Sequence, residues 1–351
     1  MLQARHIPYK LIFRQAAGTS RGVLTEKYSW ILILHNSENP DIFGLGECSL
    51  ISGLSPDPIT GYEPELNNLC QNIQDHEKWS AQRGKTFPSI RFGLETALLD
   101  LKNGGHRTLF LNKFSTGETG IPINGLVWMG RPEFMKKQII EKIEAGFNCI
   151  KIKVGAINFD EEISLLAFIR KQFSAAEIII RLDANGAFGP SDVIEKLKQL
   201  SDFNIHSIEQ PVKQGQNELM ARVCSESAIA VALDEELIGV AGTVNKTKLL
   251  QEIKPHYIIL KPSLLGGMAE SDEWIEIAEK HQIGWWNTSA LESNIGLNAI
   301  AQWTAEKSPE LPQGLGTGQL YTNNIMSPLT ISNGNLYYDH TKPWELKHLL
   351  K

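Results

Sequence analysis

The chain has 351 residues, which at roughly 150 residues per domain corresponds to about two domains rather than one small module. Hydrophobic residues make up 42% and charged residues 21%, so a sizeable core can be buried and an intrinsically disordered chain is excluded. Lys and Arg total 34 against 40 Asp and Glu, and the resulting charge of -6 lacks the basic footprint of a nucleic-acid binder.

Arg5, His6, Lys10 and Arg14 interrupt the first twenty residues, leaving no apolar run of the kind a signal peptide needs. The longest strongly apolar run, Trp30 to Leu34, has the length of a strand and is too short to cross a membrane. A soluble, unanchored protein is expected. YKLIF and GVLTEKYSWILILH read as two arms of a hairpin joined at AAGTSRG. Glycine and proline then crowd residues 44 to 58, GLGECSLISGLSPDP, which reads as a mobile surface loop. Helices are expected around Pro64 to Trp79 and Ser89 to Lys102, before STGETG marks a boundary near residue 120. Cys48, Cys70, Cys149 and Cys224 lie far apart, which argues for reduced cytoplasmic thiols rather than a zinc site or disulfide framework.

Beyond residue 120, short apolar runs alternate with amphipathic helices. The runs are 122–127, 149–154, 177–183, 205–210, 229–235, 256–261 and 283–289, with a weaker eighth around Pro312 to Gly316. This rhythm predicts a parallel (β/α) barrel over 121–320, preceded by an α+β domain over 1–120 to which residues 321–351 return. No Gly-rich nucleotide fingerprint follows any strand.

Lys153, Asp183, Glu209, Asp234 and Lys261 close successive strands, at intervals of 30, 26, 25 and 27 residues. One βα unit is of that size, so the five should converge on one mouth of the barrel, where barrel enzymes place their chemistry. Strand alternation puts Lys151 on the face of Lys153, and mutual repulsion is expected to lower both pKa values. Asp183, Glu209 and Asp234 offer hard oxygen ligands that suit Mg2+, with Mn2+ as the alternative. A metal-bound substrate carboxylate could then lose its α-proton to one of the flanking lysines. A Schiff-base aldolase with Lys261 as nucleophile would leave the three carboxylates idle.

The motifs KIK (151–153), RLDANGAF (181–188), IEQP (208–211), ALDEE (232–236), LKPSLLGG (260–267) and SALESNIG (289–296) together resemble the enolase superfamily, and within it the muconate-lactonising subgroup with paired lysines. That resemblance implies a (β/α)7β-type modified TIM barrel with an N-terminal α+β capping domain. It implies metal ligation by Asp183, Glu209 and Asp234, Lys153 as base and then acid, Lys261 as the opposite lysine, and Lys151, Asn185 and Glu235 in support. Ser289, Leu291, Gly316 and Thr317 would contact substrate, and Gly53, Leu54 and Ser55 would belong to the lid. The reaction implied is a Mg2+-dependent syn-dehydration of a cyclic carboxylate to an aromatic product, in menaquinone biosynthesis. The alternative is N-acylamino acid racemisation or dipeptide epimerisation using both lysines. Relatives that epimerise dipeptides tend to carry D-x-D where this chain reads GLGTGQL, whose glycines offer backbone to an anionic tail or serve as turns. Trp128, Trp285 and Trp286 read as core residues, with stacking on a cyclic substrate as the alternative. The expected partner is a small-molecule carboxylate, not nucleic acid or membrane, and the oligomeric state is left open.

Overall fold

In β2 (Gly22–Asn36), residues 31 to 34 are all buried because the strand has two covered faces. Leu32 and Leu34 face Leu66, Leu69, Trp79, Ile90 and Leu94 of the cap, whereas Ile31 and Ile33 face Leu45, Ile295 and Ile325. The structure, a computed structural model, describes residues 1–19, 22–347 and 349. The tip of the predicted AAGTSRG turn, residues 20 and 21, lies outside the described residues, as do 348, 350 and 351 of the predicted returning segment. β1 (Leu2–Thr19), β2 and β3 (Asn39–Ser49) form an antiparallel sheet in sequence order, with a register shift between Ile12 and Ala17. Helices α1 (Tyr62–Gln71), α2 (His76–Arg83) and α3 (Pro88–Lys102) cover one side of it.

The loop expected over 44–58 is corrected at its start, since residues 44–49 are the buried end of β3. Its glycines serve close approach rather than turning. A Cβ on Gly46 would lie 1.8 Å from the Gly93 carbonyl oxygen, and one on Gly44 would lie 2.0 Å from that of Ala97. Only glycine lets α3 lie this near to the strand. Gly46→Val is therefore expected to cost about 3 kcal/mol or more, read as a lower urea midpoint with an unchanged slope.

Seven parallel strands follow in the order of the chain: β5 (Gly125–Val127), β6 (Cys149–Lys153), β7 (Ile179–Asp183), β8 (Ser207–Glu209), β9 (Ala230–Leu233), β10 (Tyr257–Leu260) and β11 (Gly284–Asn287). Each is a trimmed version of its predicted run. The helices between them are α4 (Pro132–Glu144), α5 (Phe159–Gln172), α6 (Val193–Ser201), α7 (Asn217–Glu226), α8 (Thr243–Ile253), α9 (Pro262–Leu265) and α10 (Met268–Lys280). The helix α11 (Asn294–Glu306) follows β11, and the Ser293 side chain caps its first turn.

The eighth run is irregular, yet it closes the barrel. Gln313 N donates to the Pro122 carbonyl at 2.8 Å, and Asn124 N donates to the Gln313 carbonyl at 2.9 Å. On the other edge Gly314 N donates to Asn287 O at 2.7 Å, and Ser289 N donates to Gly314 O at 3.1 Å. Proline at 312 has no N–H for a ladder, which keeps this segment from a regular strand. Inside the barrel the Arg181 guanidinium lies 4.0 Å over the Trp286 ring and donates to the Pro312 carbonyl at 2.7 Å. The chain ends in two ways. The hairpin β12 (Leu329–Ser332) and β13 (Asn335–Tyr338) pairs with β4 (Ile121–Pro122) at the start of the barrel, while Tyr321, Ile325, Trp344 and Leu349 pack on the first sheet.

Candidate active site

Strand register explains why the five spaced residues meet. Lys153 pairs with Asp183, and Asp183 pairs with Glu209. Glu209 pairs with Ala232, two residues before Asp234. Ala232 pairs with Tyr257, from which Lys261 follows by two further steps of two. Steps of two keep one face, so all five side chains enter the barrel from their C-terminal ends.

The three carboxylates are buried and are answered by three ammonium groups. Lys153 Nζ donates to Asp183 Oδ2 at 2.9 Å and to Asn185 Oδ1 at 2.6 Å. Lys151 Nζ lies 3.0 Å from the same Asp183 oxygen and also pairs with Glu209 Oε2. Lys261 pairs with Asp234 Oδ2. Asn185 is positioned by its Nδ2, which donates to Glu235 Oε1 at 3.1 Å, so Glu235 steadies Lys153 through one intermediary.

The expected mutual lowering of the lysine pKa values is corrected for Lys151. Burial lowers its pKa, but Asp183, Glu209 and Asp234 outweigh burial and raise it. Lys261 is likewise raised, with Asp234 and Glu209 overcoming the burial. The carboxylates divide. Burial raises all three, yet the Lys151 and Lys153 charges pull Asp183 well below the usual range, and Lys261 pulls Asp234 down. Glu209, between two other carboxylates, is pushed well above its ordinary value by burial and by Asp183.

Among the described residues no three Asp, Glu, His or Cys side chains close together tightly enough to hold a metal ion as they stand. Each of the three carboxylates instead has one oxygen paired with an ammonium group. The donor set still fits a hard dication: three carboxylates, no sulfur, and a buried Glu209 Oε1 without a hydrogen-bond donor among the described residues.

These groups open on a cavity of about 530 Å³. Lys151, Lys153, Asp183, Asn185 and Lys261 line it, as do the predicted contacts Ser289, Leu291, Gly316 and Thr317. Glu209, Asp234 and Glu235 do not line it, but each bonds a residue that does: Lys151, Lys261 and Asn185 respectively. Of the predicted lid residues only Leu54 reaches the wall; Gly53 is exposed at φ +74°, and the Ser55 hydroxyl accepts from Ile51 N at 2.8 Å. Asp57, at the end of the GLSPD segment, accepts from Ser89 N and Oγ at the start of α3, at 3.1 and 2.7 Å. Trp128 lines the cavity, whereas Trp286 is barrel core and the Trp285 indole donates to Glu279 at 3.2 Å. Gly314, Gly316 and Gly318 have no left-handed φ, and a Cβ on Gly314 would lie 2.3 Å from Thr288 Oγ1. Space, not turning, requires the first of them.

Several residues of the site escaped the sequence reading. Arg14, Leu24 and Ile51 come to the wall from the cap. Gln210 is a buried strut: its Oε1 accepts from Asp234 N at 3.2 Å, and its Nε2 donates to Glu236 Oε2 at 2.7 Å. Gln210, Asn185 and Leu291 all take positive φ, at 41°, 44° and 62°. Such strain gathers at functional sites, but nothing short of coordinates marks it in a Gln, Asn or Leu.

A family model described as enolase C-terminal domain-like matches residues 135–342. An o-succinylbenzoate synthase of Desulfotalea psychrophila is 47% identical, over 93% of this chain and 96% of that one. The crystal structure of MenC from the same organism superposes with a TM-score of 0.84 at 44% identity, covering 96% of this chain and 99% of that one. A hydrophobic dipeptide epimerase of Enterococcus faecalis is 30% identical over 50% of this chain and 48% of its own. The muconate lactonizing enzyme of Pseudomonas fluorescens shares the fold, with a TM-score of 0.81 at 20% identity over 99% of this chain and 98% of that one.

Proposed function

The chain belongs to the enolase superfamily, and on that premise we propose that it is an o-succinylbenzoate synthase, a hydro-lyase of menaquinone biosynthesis. It would convert 2-succinyl-6-hydroxy-2,4-cyclohexadiene-1-carboxylate to 2-succinylbenzoate and water. One observation carries the reading: Lys153 from β6 and Lys261 from β10 line a single cavity, each on a different carboxylate of one buried set. The relative of highest identity among those above is an o-succinylbenzoate synthase.

Asp183, Glu209 and Asp234 would hold a divalent cation, Mg2+ or Mn2+, which when bound supplies positive charge for the substrate carboxylate and for the charge that develops on it. The chain's own groups do the rest. Lys153, in its neutral form, takes the proton from the carbon bearing the carboxylate, and the electron pair of that C–H bond passes toward the carboxylate. The same ammonium then delivers the proton to the ring hydroxyl, the C–O bond breaks on the same face, and water leaves as the ring becomes aromatic. Asn185 holds the Lys153 amine at 2.6 Å and fixes its direction. Lys261 faces the ring from the other side, where its charge stabilises the anion without exchanging a proton. The four cysteines are free thiols, and no helix among the described residues is long and apolar enough to cross a membrane. The free thiols suit the reducing cytoplasm, where we place the enzyme.

Turnover in D2O tests the reading. The purified protein with Mg2+ should form the aromatic product, seen by its ultraviolet absorbance, and substrate recovered at partial conversion should carry no deuterium. Deuterium washed into recovered substrate without aromatic product would instead favour a 1,1-proton transfer by both lysines.

A further inference from the structure

Lys27 lies on β2 with its side chain buried, and the reaction does not use it. A buried ammonium is costly unless it is paired. Its hydrogen bond goes to the Ser49 hydroxyl on β3, and two carboxylates, Glu47 and Glu292, oppose the burial that lowers its pKa. Glu47 belongs to the cap. It accepts from Ser29 Oγ at 2.7 Å and reaches the start of α11, accepting from Ser293 N at 2.9 Å and Gly296 N at 3.0 Å. Glu292 belongs to the barrel and is fully buried. It accepts from two hydroxyls, those of Ser263, two residues beyond Lys261, and Ser289, on the cavity wall.

Glu292 N donates back to Ser289 Oγ at 3.3 Å, so residues 289 to 292 form a turn closed by the Glu292 side chain. Within it Leu291 takes φ of 62°, a region that a leucine avoids without support. The Tyr321 hydroxyl donates to the Leu291 carbonyl at 2.6 Å. Held this way, Leu291 lines the cavity and packs with Leu24 of the hairpin and Leu54 of the lid around Ile51, Leu264 and Ala290.

We infer that Glu292 and Lys27 are positioning residues for substrate: Glu292, buried and accepting from Ser263 and Ser289, holds the 289–292 turn with Leu291 in its left-handed conformation, and Lys27, on the sheet face that carries Ser49 and Glu47, supplies the buried positive charge behind it. β2 carries both Leu24 and Lys27. The strand that brings the hairpin to the cavity therefore also delivers the charge that the turn requires. The inference deepens the functional reading above and rests on the same cavity being the substrate site.

The test is steady-state kinetics of Lys27→Met, Glu292→Gln and the double variant beside wild type, with the cyclohexadiene carboxylate as substrate. Each single change should raise KM about tenfold with kcat within about threefold, since Lys27→Met leaves Glu47 and Glu292 buried without their cation and Glu292→Gln weakens the acceptor that holds Ser263 and Ser289. In the double variant neither charge remains, so its KM should fall well short of the product of the two single effects. If Lys27→Met does not fold, Glu292→Gln is set against the double variant alone: adding Lys27→Met should raise KM by no more than about threefold, and a further tenfold rise would overturn the role. An unchanged KM, a fall in kcat alone, or multiplicative effects would overturn the positioning role. A wild type that does not turn over the substrate would overturn the functional reading itself.

Discussion

Lys153→Ala is expected to lower turnover by about a thousandfold or more, because in the proposed reaction the proton would leave and return through this one amine. The loss should not come from unfolding. Asp183 keeps Lys151 at 3.0 Å when Lys153 is gone, so no carboxylate is stranded. Lys153→Arg separates charge from proton transfer. Arginine preserves a cation beside Asp183 and Asn185 but cannot serve as a base near neutral pH, so it should be as inactive as alanine. Substantial activity in Lys153→Arg would show that the residue acts only through its charge.

Glu209→Gln should produce a loss of similar size by another route. The central carboxylate of the set lies across from Asp183 in register, and a cation's stabilisation of developing charge is worth several kcal/mol, or about a thousandfold. Its effect on the metal-free fold has the opposite character. Glu209 sits between two carboxylates that push its pKa upward, so an amide relieves repulsion, and Lys151 retains Asp183. The variant should therefore melt in chelator no lower than wild type. The rise in Tm that Mg2+ gives the wild type should disappear, a readout independent of turnover.

The parts of this molecule that follow from local chemistry are legible in its sequence. Lys153, Asp183, Glu209, Asp234 and Lys261 announce themselves because each ends an apolar run, and the runs recur at the length of a βα unit. The rest depends on contacts between distant residues. Gly44 and Gly46 look like loop glycines until α3 is laid against them. Pro312 to Gly314 shows little strand character because its ladder is made by two flanking edges rather than by its own side chains. Lys151 looked like a source of repulsion for Lys153, and its carboxylate partners, fixed only by register, reverse the sign. Glu47 meets Ser293 across 246 residues, and no spacing rule reaches that far.

On the proposed reading, Asp183, Glu209 and Asp234 form one hard-cation site between two lysines. Mn2+ binding followed by electron paramagnetic resonance tests it most directly. A single Mn2+ should bind per chain, persist in Lys153→Ala, and be lost or greatly weakened in each of Asp183→Asn, Glu209→Gln and Asp234→Asn. No bound Mn2+ in the folded wild type, or binding that survives all three carboxylate changes, would contradict the account.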